Sequence, residues 1–197
     1  MLVLVFLIYN IRSRAPVTIA VNSTGVKVHK AGCWVERKHD KKSRYVKLHF
    51  AINTETHEAV AMDVSTDDIH DVKALPGLVE ESKRRVRVAR IIGDGAYDSS
   101  TVYDLLEGRG IEVTVKPKRN SRPGLESPER RWAIKLYRCL GHEGWAGLTG
   151  YGRRWAVDTA YSTFKRVFGE HSLARSLENI ARELTGKVAL YNMLVNV

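Results

Sequence analysis

The strongest constraint on the fold is a change of hydrophobic period along the chain. Between Val17 and Val64, apolar and polar residues alternate, which is typical of strands that bury one face. Short turns such as Asn53–His57 favour an antiparallel arrangement of these strands. The sequence therefore predicts three antiparallel strands, with the sequences VTIAV from Val17, YVKLHFAI from Tyr45 and EAVAMDV from Glu58.

The middle of the chain changes to alternating helices and strands. Residues 67–85 have helical apolar spacing, and Pro76 is predicted to kink or interrupt that helix. The continuous apolar run at residues 88–93 is typical of a strand buried on both faces, and it stops at Asp94. A short helix then leads to a further strand at residues 111–116. This order predicts a right-handed crossover onto a parallel part of the sheet.

The last third of the chain is predicted to be helical. An exposed loop rich in proline, glycine and charge is expected first, at Lys116–Arg131. Helices are predicted to follow at Arg131–Leu140, Arg154–Gly169 and Leu177–Val195, with a glycine-rich break at Gly141–Gly152. The predicted fold class is α/β, a mixed sheet of three antiparallel strands followed by alternating helices and parallel strands, with a helical C-terminus.

Composition narrows the class of protein and the kind of partner. A chain of 197 residues with 44% apolar residues suits one folded domain. Lysine and arginine total 32 against 22 acidic residues, and this net charge of +10 favours a polyanionic partner such as nucleic acid. Cys33 and Cys139 have no zinc-binding spacing. The apolar residues 1–9 are too few to span a bilayer, so no membrane association is expected.

The predicted helix that ends at Gly169 carries a polar face beside an apolar one. At about 100° per residue, Arg154, Asp158 and Lys165 lie within about 40° of one another. Tyr151 falls about 60° from Arg154 if the helix extends back that far. The plainest interpretation is a surface ion pair between Arg154 and Asp158, one helical turn apart.

Two polar positions on the predicted strands favour a functional interpretation instead. Asp94 follows the C-terminal end of a buried strand, where α/β sheets place ligands. The first strand is predicted to end in a polar step at Asn22. Convergence of these two residues with Asp158 would form a site for divalent cations. Two Mg²⁺ ions suit phosphodiester transfer, because one activates the attacking oxygen and the other stabilises the leaving oxygen.

Several ordered motifs in this chain resemble the catalytic domain of DDE transposases, in the insertion-sequence superfamily that includes the IS4 and IS5 groups. The resemblance runs from about Val17 to the C-terminus, through VNSTGVKV, KLHFAINTETHEAVAMDVS, IIGDGAYDS and KPKRN. Its most specific part is a set of four residues separated by two, three and six others, as in the Tyr-Arg-Glu-Lys signature of that superfamily. The four are Tyr151, Arg154, Asp158 and Lys165.

The resemblance implies an RNase H-like fold for residues 17–197, after a short N-terminal remnant at residues 1–16. It implies metal-dependent cleavage and strand transfer of transposon DNA, with Asn22, Asp94 and Asp158 as catalytic residues that bind two Mg²⁺ or Mn²⁺ ions. It also implies double-stranded DNA as the partner, a homodimer on that DNA, and a prokaryotic cytoplasm as the location. The expected DNA contacts are Tyr151, Arg154 and Lys165, with Lys116, Lys118 and Arg119 from the basic segment.

Two residues depart from the family pattern. Asn22 stands where an aspartate is expected, and this removes one negative charge from a cation site. Asp158 stands where a glutamate is expected, so its carboxylate reaches less far by one methylene. Three hypotheses follow: a transposase with residual activity, an inactive DNA-binding remnant of the same fold, and a different RNase H-like nuclease. The signature helix argues against the third, and the two departures favour impaired catalysis.

Overall fold

The computed structural model describes residues 3–4, 15–28, 45–124 and 127–196. Most of the predicted basic connection between the first two long strands lies outside these residues, and so does Cys33. Most of the N-terminal segment at residues 1–16 lies outside them as well.

A mixed sheet forms the centre of the molecule. Its strands stand in the order β1-β4-β3-β2-β5-β6, and β7 also pairs with β2. The pairs β2–β3 and β3–β4 are antiparallel, whereas β2–β5 and β5–β6 are parallel. This topology confirms the predicted fold class. The strands are β1 Val3–Leu4, β2 Val17–Val28, β3 Tyr45–Asn53, β4 Ala59–Thr66, β5 Val88–Gly93, β6 Glu112–Val115 and β7 His171–Ser172.

In the described part of the chain, five helices pack around the sheet. Apolar residues of α4 and α5 pack on one face, and those of α1 and α2 pack on the other. None of the described helices is long and apolar enough to cross a membrane. The helices are α1 Asp71–Lys83, α2 Ser100–Glu107, α3 Pro128–Thr149, α4 Trp155–Phe168 and α5 Leu177–Val195.

Strand β2 is buried on both sides because it lies in the middle of the sheet. Ile19 and Val21 belong to the core under α1 and α2. Ala20 and Val26 point the other way, into the core under α4 and α5. Side chains alternate along a strand, so Asn22 lies on the same face as Ala20 and Val26, toward the C-terminal helices.

The prediction that the first strand ends at Asn22 is wrong. Strand β2 continues to Val28, and its ladder with β3 runs without interruption from Ile19 to Lys27. The polar residues after Asn22 therefore keep backbone pairing. Because β3 supplies a partner along the whole stretch, the change in side-chain polarity does not end the strand. Asn22 is a polar position within a strand.

The predicted glycine-rich break at residues 141–152 is also largely wrong. Helix α3 runs from Pro128 to Thr149, with Ser127 accepting a hydrogen bond from the backbone at its N-terminus. The only non-helical residue inside it is Gly141, with φ of 67°, which produces a kink. The helix ends at Gly150, also left-handed with φ of 66°. Single glycines therefore mark the kink and the end, and the segment between them stays helical.

Candidate active site

Asn22 and Asp158 meet between β2 and the first turns of α4. Asn22 Nδ2 donates to Asp158 Oδ1 over 3.3 Å, although the residues are 136 positions apart in sequence. The other end of the amide is held locally, because Asn22 Oδ1 accepts from the backbone N–H of Ser23 at 2.9 Å. The structure therefore brings together two of the three residues predicted to form the catalytic set.

Both oxygens of Asp158 also bond to Arg154. The guanidinium donates from Nη2 to Oδ2 at 2.6 Å and from Nη1 to Oδ1 at 3.3 Å. The predicted surface ion pair is thus present, and the same carboxylate reaches across to Asn22 on the sheet. Asp158 is an exposed carboxylate, and here Arg154 balances its charge while the Asn22 amide donates one further hydrogen bond.

Tyr161 fixes the spacing between α4 and the sheet. Its hydroxyl donates to Asn22 O at 2.6 Å and accepts from the backbone N–H of Phe50 at 3.0 Å. Asn22 and Phe50 face each other in the β2–β3 ladder, so the hydroxyl bridges the two strands at the position of Asn22. Tyr161 is not among the site residues predicted from the sequence. Its signal is a tyrosine one helical turn after Asp158, where an apolar side chain would suffice for packing.

Asp94 lies where β5 ends and a single turn of 3₁₀ helix, Gly95–Tyr97, begins. Its Oδ1 accepts from the backbone N–H of Ala96 at 2.8 Å and so caps that turn. The second carboxylate oxygen stays available on a half-buried side chain. This placement agrees with the expectation that the residue follows the carboxyl end of a buried strand.

Tyr151 is close enough to both carboxylates for their charges to affect its pKa. Burial raises the pKa of Tyr151, the charges of Asp94 and Asp158 raise it further, and Arg154 opposes the shift. The ring also packs against Trp145 at the end of α3, with 4.8 Å between ring centroids. The phenol is therefore a protonated hydrogen-bond donor held beside both acids at neutral pH.

Lys165 lies apart from this group. It sits two turns beyond Asp158 on α4, and its nearest ion-pair partner is Glu170, at 3.9 Å. Of the four signature residues, three therefore cluster at the start of α4 and one lies toward its end. A ligand that touches all four must extend along the helix, as a nucleic-acid backbone does.

The basic segment after β6 lies over the turn that follows Asp94. A Cβ atom placed on Gly95 would stand 3.4 Å from Lys116 O and 3.6 Å from Lys118 Cγ, so the two loops are in contact. Lys118 and Arg119 are exposed, whereas Pro117 and Ser121 of the same segment are buried. The prediction of a wholly exposed loop is therefore wrong, because part of this loop packs against the body of the domain.

The three residues predicted to bind metal carry two negative charges between them, which suits one divalent cation better than two. They are two carboxylates, Asp94 and Asp158, and the amide oxygen of Asn22, all hard oxygen ligands. The described residues contain no cluster of three His, Cys, Asp or Glu side chains able to hold a metal ion. A second ion would lack the charge that an aspartate at position 22 would supply. The residues are therefore of the chemical type that binds the expected metal, but they carry too little negative charge for two ions.

The strand order, the two layers of helices and the acidic residues just after β5 and on α4 define an RNase H-like α/β domain. The sequence profile of the family described as Transposase DDE domain matches residues 13–193. The chain belongs to this family.

Among the solved structures that are similar to this chain are a transposase complex and an integrase core. One is a piggyBac transposase synaptic complex with hairpin DNA, with 11% identity and a TM-score of 0.47, over 92% of this chain and 47% of that one. The other is the catalytic core domain of BIV integrase, with 13% identity and a TM-score of 0.36, over 80% of this chain and 91% of that one. The chain spans less than half the length of the piggyBac transposase.

Proposed function

We propose that this domain is the catalytic domain of an insertion-sequence transposase of the IS4/IS5 type, with an impaired catalytic centre. It binds double-stranded DNA, as a homodimer on transposon ends in a prokaryotic cytoplasm, and carries out metal-dependent cleavage and strand transfer weakly. The family membership and the net charge of +10 support the choice of DNA as partner.

The observation that carries the proposal is the hydrogen bond from Asn22 to Asp158. With an aspartate at position 22, two carboxylates would face each other at this distance and would need a cation between them. With asparagine, the amide donates to Asp158, and Arg154 completes its neutralisation. The site is therefore electrostatically satisfied without a metal ion, and its affinity for one is reduced.

The residues of the site would divide the work as follows. Asp94 and Asp158 would hold one Mg²⁺ or Mn²⁺, and the Asn22 amide oxygen would join them only after the amide gives up its present hydrogen bonds to Asp158 and Ser23. When bound, such an ion activates an attacking oxygen or stabilises a leaving one. Tyr151 remains protonated and donates a hydrogen bond to a phosphate oxygen. Arg154, released from Asp158, offers two donors to the same phosphate.

The DNA backbone is proposed to pass across the start of α4 and the loop over Gly95. Lys116, Lys118 and Arg119 neutralise phosphates on one side of the site. Lys165 extends the contact along α4. Because these contacts are to phosphates, affinity should fall steeply with salt and depend little on sequence.

Calorimetric titration with Mn²⁺ and Mg²⁺ tests the proposal. The natural protein is expected to bind at most one ion, and weakly, because Asn22 contributes no charge. The double variant Asn22→Asp/Asp158→Glu is expected to bind two ions and to gain strand-transfer activity on linear transposon-end DNA. A matched control, Asn179→Asp/Asp104→Glu, makes the same chemical changes at exposed positions of α5 and α2 and should leave ion binding unchanged.

Tight binding of two ions by the natural protein would contradict the impaired centre. Strand transfer by the natural protein at the rate of the double variant would contradict it equally. The second candidate function is an inactive DNA-binding remnant, favoured by the engagement of both Asp158 oxygens with Arg154. That candidate predicts DNA binding without strand transfer, even in a double variant that has recovered both ions.

A further inference from the structure

Asp98 is a buried carboxylate at the far end of the turn that begins with Asp94. Its residue surface is 3% exposed. Its Oδ2 accepts from the backbone N–H of Lys118 at 2.9 Å and from the hydroxyl of Ser121. Its Oδ1 accepts from Arg130 Nε at 2.7 Å. One acidic side chain thus holds two points of the basic loop and the start of α3.

The hydrogen bonds keep this carboxylate ionised. Burial alone would raise the pKa of Asp98, yet donors from Arg130, Ser121 and Lys118 outweigh burial and hold it below its usual range. A permanently charged acceptor with several donors is a strong local constraint, because each charge-assisted bond is stronger than a neutral one.

A second arginine holds the other side of the loop. Arg138 on α3 donates from Nη2 to Ser121 O at 2.7 Å. Among the ion pairs of the described residues, none involves Lys116, Lys118 or Arg119. Arg130 and Arg138 of α3 therefore fix the loop, while Lys116, Lys118 and Arg119 have no acidic partner among the described residues.

The same short turn joins this anchor to the candidate active site. Asp94 caps Gly95–Tyr97 at one end, and the backbone N–H of Asp98 bonds to Gly95 O at 3.2 Å. The loop in turn contacts Gly95 through Lys116 and Lys118. Because the loop contacts this turn both at Gly95 and at Asp98, the basic loop is held in a fixed position relative to Asp94.

We propose that Asp98 is a positioning residue for DNA: it holds the basic loop, residues 116–122, in register with Asp94, so that the loop cations meet phosphates beside the site. The inference rests on the proposed function, because it assigns a role within DNA binding. Asp98 does not touch the DNA and acts through the loop.

The direction in which DNA affinity changes when Asp98 loses its charge distinguishes the positioning role from a general electrostatic effect. Removal of a negative charge from a protein that binds a polyanion strengthens binding when nothing else changes. Removal of the Asp98 charge instead releases the loop, since Arg130 and the Lys118 amide lose their acceptor. The positioning role therefore predicts weaker DNA binding from a substitution that makes the protein more positive.

The experiment is a set of fluorescence-anisotropy titrations with a labelled duplex over a series of salt concentrations. Asp98→Asn is expected to weaken binding about 10-fold at low salt. It is also expected to reduce the slope of log affinity against log salt by about 2, as for two lost phosphate contacts. Asp104→Asn, the same change on an exposed position of α2, should leave binding unchanged or slightly tighter.

Two further variants make the outcomes distinguishable. Lys118→Ala/Arg119→Ala should weaken binding to about the same degree, and Asp98→Asn added to this pair should weaken it little further. Ser121→Ala removes one hydrogen bond to Asp98 without a change of charge, and it should weaken binding about 2-fold. Ser121→Ala decides the question if Asp98→Asn fails to fold.

Unchanged or tighter binding by Asp98→Asn, with weakened binding by the lysine and arginine pair, would overturn the positioning role and leave the DNA interface intact. Unchanged binding by that pair would instead remove the loop from the interface, and the proposed function would fail at this surface. Hydrogen exchange at the Lys118 amide should accelerate in Asp98→Asn and not in Asp104→Asn.

Discussion

At the scale of single residues, two buried titratable groups face each other across the ladder of β3 and β4. His49 pairs with Asp63, and both are almost completely buried. Burial lowers the pKa of His49 to about 4, against the nearby charge of Asp71, which raises it. Burial raises the pKa of Asp63 to about 6, against a backbone hydrogen bond that lowers it. Burial therefore disfavours the charged form of each group.

These two shifts have opposite effects on stability as the pH falls. His49 takes up its proton at higher pH in the unfolded chain than in the folded one, so its contribution to stability is lost between about pH 6.5 and pH 4. Asp63 takes up its proton at higher pH in the folded protein, so stability rises between about pH 6 and pH 4. The two contributions to the pH dependence of the unfolding free energy therefore nearly cancel.

A single substitution at either residue should reveal how the other residue makes the unfolding free energy depend on pH. Relative to the natural protein, Asp63→Asn should lose about 3 kcal/mol of unfolding free energy between pH 6.5 and pH 4, because only the His49 term remains. His49→Gln should gain a similar amount over the same range, from Asp63 alone. Urea unfolding at several pH values measures both. Parallel curves for the two variants, or for either variant and an Asp104→Asn control, would contradict the opposed shifts.

A site residue could be predicted from the sequence when it belongs to a recognisable motif, and not when its role depends on contacts with residues far away in the chain. Asn22, Asp94 and Asp158 follow from motifs, and the structure places Asn22 against Asp158. Tyr161 lies outside the motifs, and Asp98 lies within IIGDGAYDS but its role does not follow from that motif, because each residue acts through backbone groups remote in sequence. The Tyr161 hydroxyl meets a strand pair 111 or more positions away, and no local pattern records such a contact.

At the scale of elements, the glycine content of residues 141–152 led to a wrong prediction that the helix breaks there, whereas α3 continues to Thr149. Glycine lowers helix propensity, so a glycine-rich segment predicts a loop. Trp145 lies within that segment and packs against Tyr151 and the end of β5 in a small buried cluster. Tertiary packing therefore compensates for weak local propensity. The strands were easier to predict, because side chains that are alternately buried and exposed appear in the sequence as alternating apolar and polar residues.

The glycine that ends α3 makes a testable contrast with one inside the helix. Gly150 has φ of 66° and precedes Tyr151, so a side chain there is strained and should destabilise the domain by about 1–2 kcal/mol. Gly147 is helical, and an added Cβ meets nothing within 4 Å. Gly147→Ala should therefore stabilise the domain by about 0.5–1 kcal/mol.

Thermal unfolding of Gly150→Ala and Gly147→Ala measures this contrast directly. A shift in the same direction for both variants would show that the end of α3 does not depend on a left-handed residue. The result concerns the site as well, because the turn after Gly150 carries Tyr151 and Arg154 toward the carboxylates.

At the scale of the whole molecule, Arg154 couples the two proposed ligands. The guanidinium occupies both oxygens of Asp158, which a cation would need, and it stands on the surface proposed for DNA. Phosphate and carboxylate therefore compete for one arginine, and arginine and cation compete for one carboxylate. A phosphate that draws Arg154 away from Asp158 should raise the affinity for the ion, and the ion should raise the affinity for DNA by the same factor.

The variant Arg154→Gln should separate these effects. Without the arginine, Asp158 loses its strongest partner, so Mn²⁺ affinity measured without DNA should rise about 10-fold, a change of about 1.4 kcal/mol. DNA affinity measured without divalent ions should fall, and the salt slope should decrease by about 1, as for one lost phosphate contact. The mutual enhancement of ion and DNA should disappear, because the group that linked them is gone.

The neighbouring Arg153 is the matched control, since it carries the same charge and pairs only loosely with Glu55 at 3.8 Å. Arg153→Gln should leave Mn²⁺ affinity unchanged and keep the enhancement of ion binding by DNA. Equal effects of the two substitutions on Mn²⁺ affinity would mean that general charge, and not the contact with Asp158, controls the ion. Enhancement that persists in Arg154→Gln would remove the arginine from the link, and ion and DNA would then be coupled through Asp94 or Tyr151 instead.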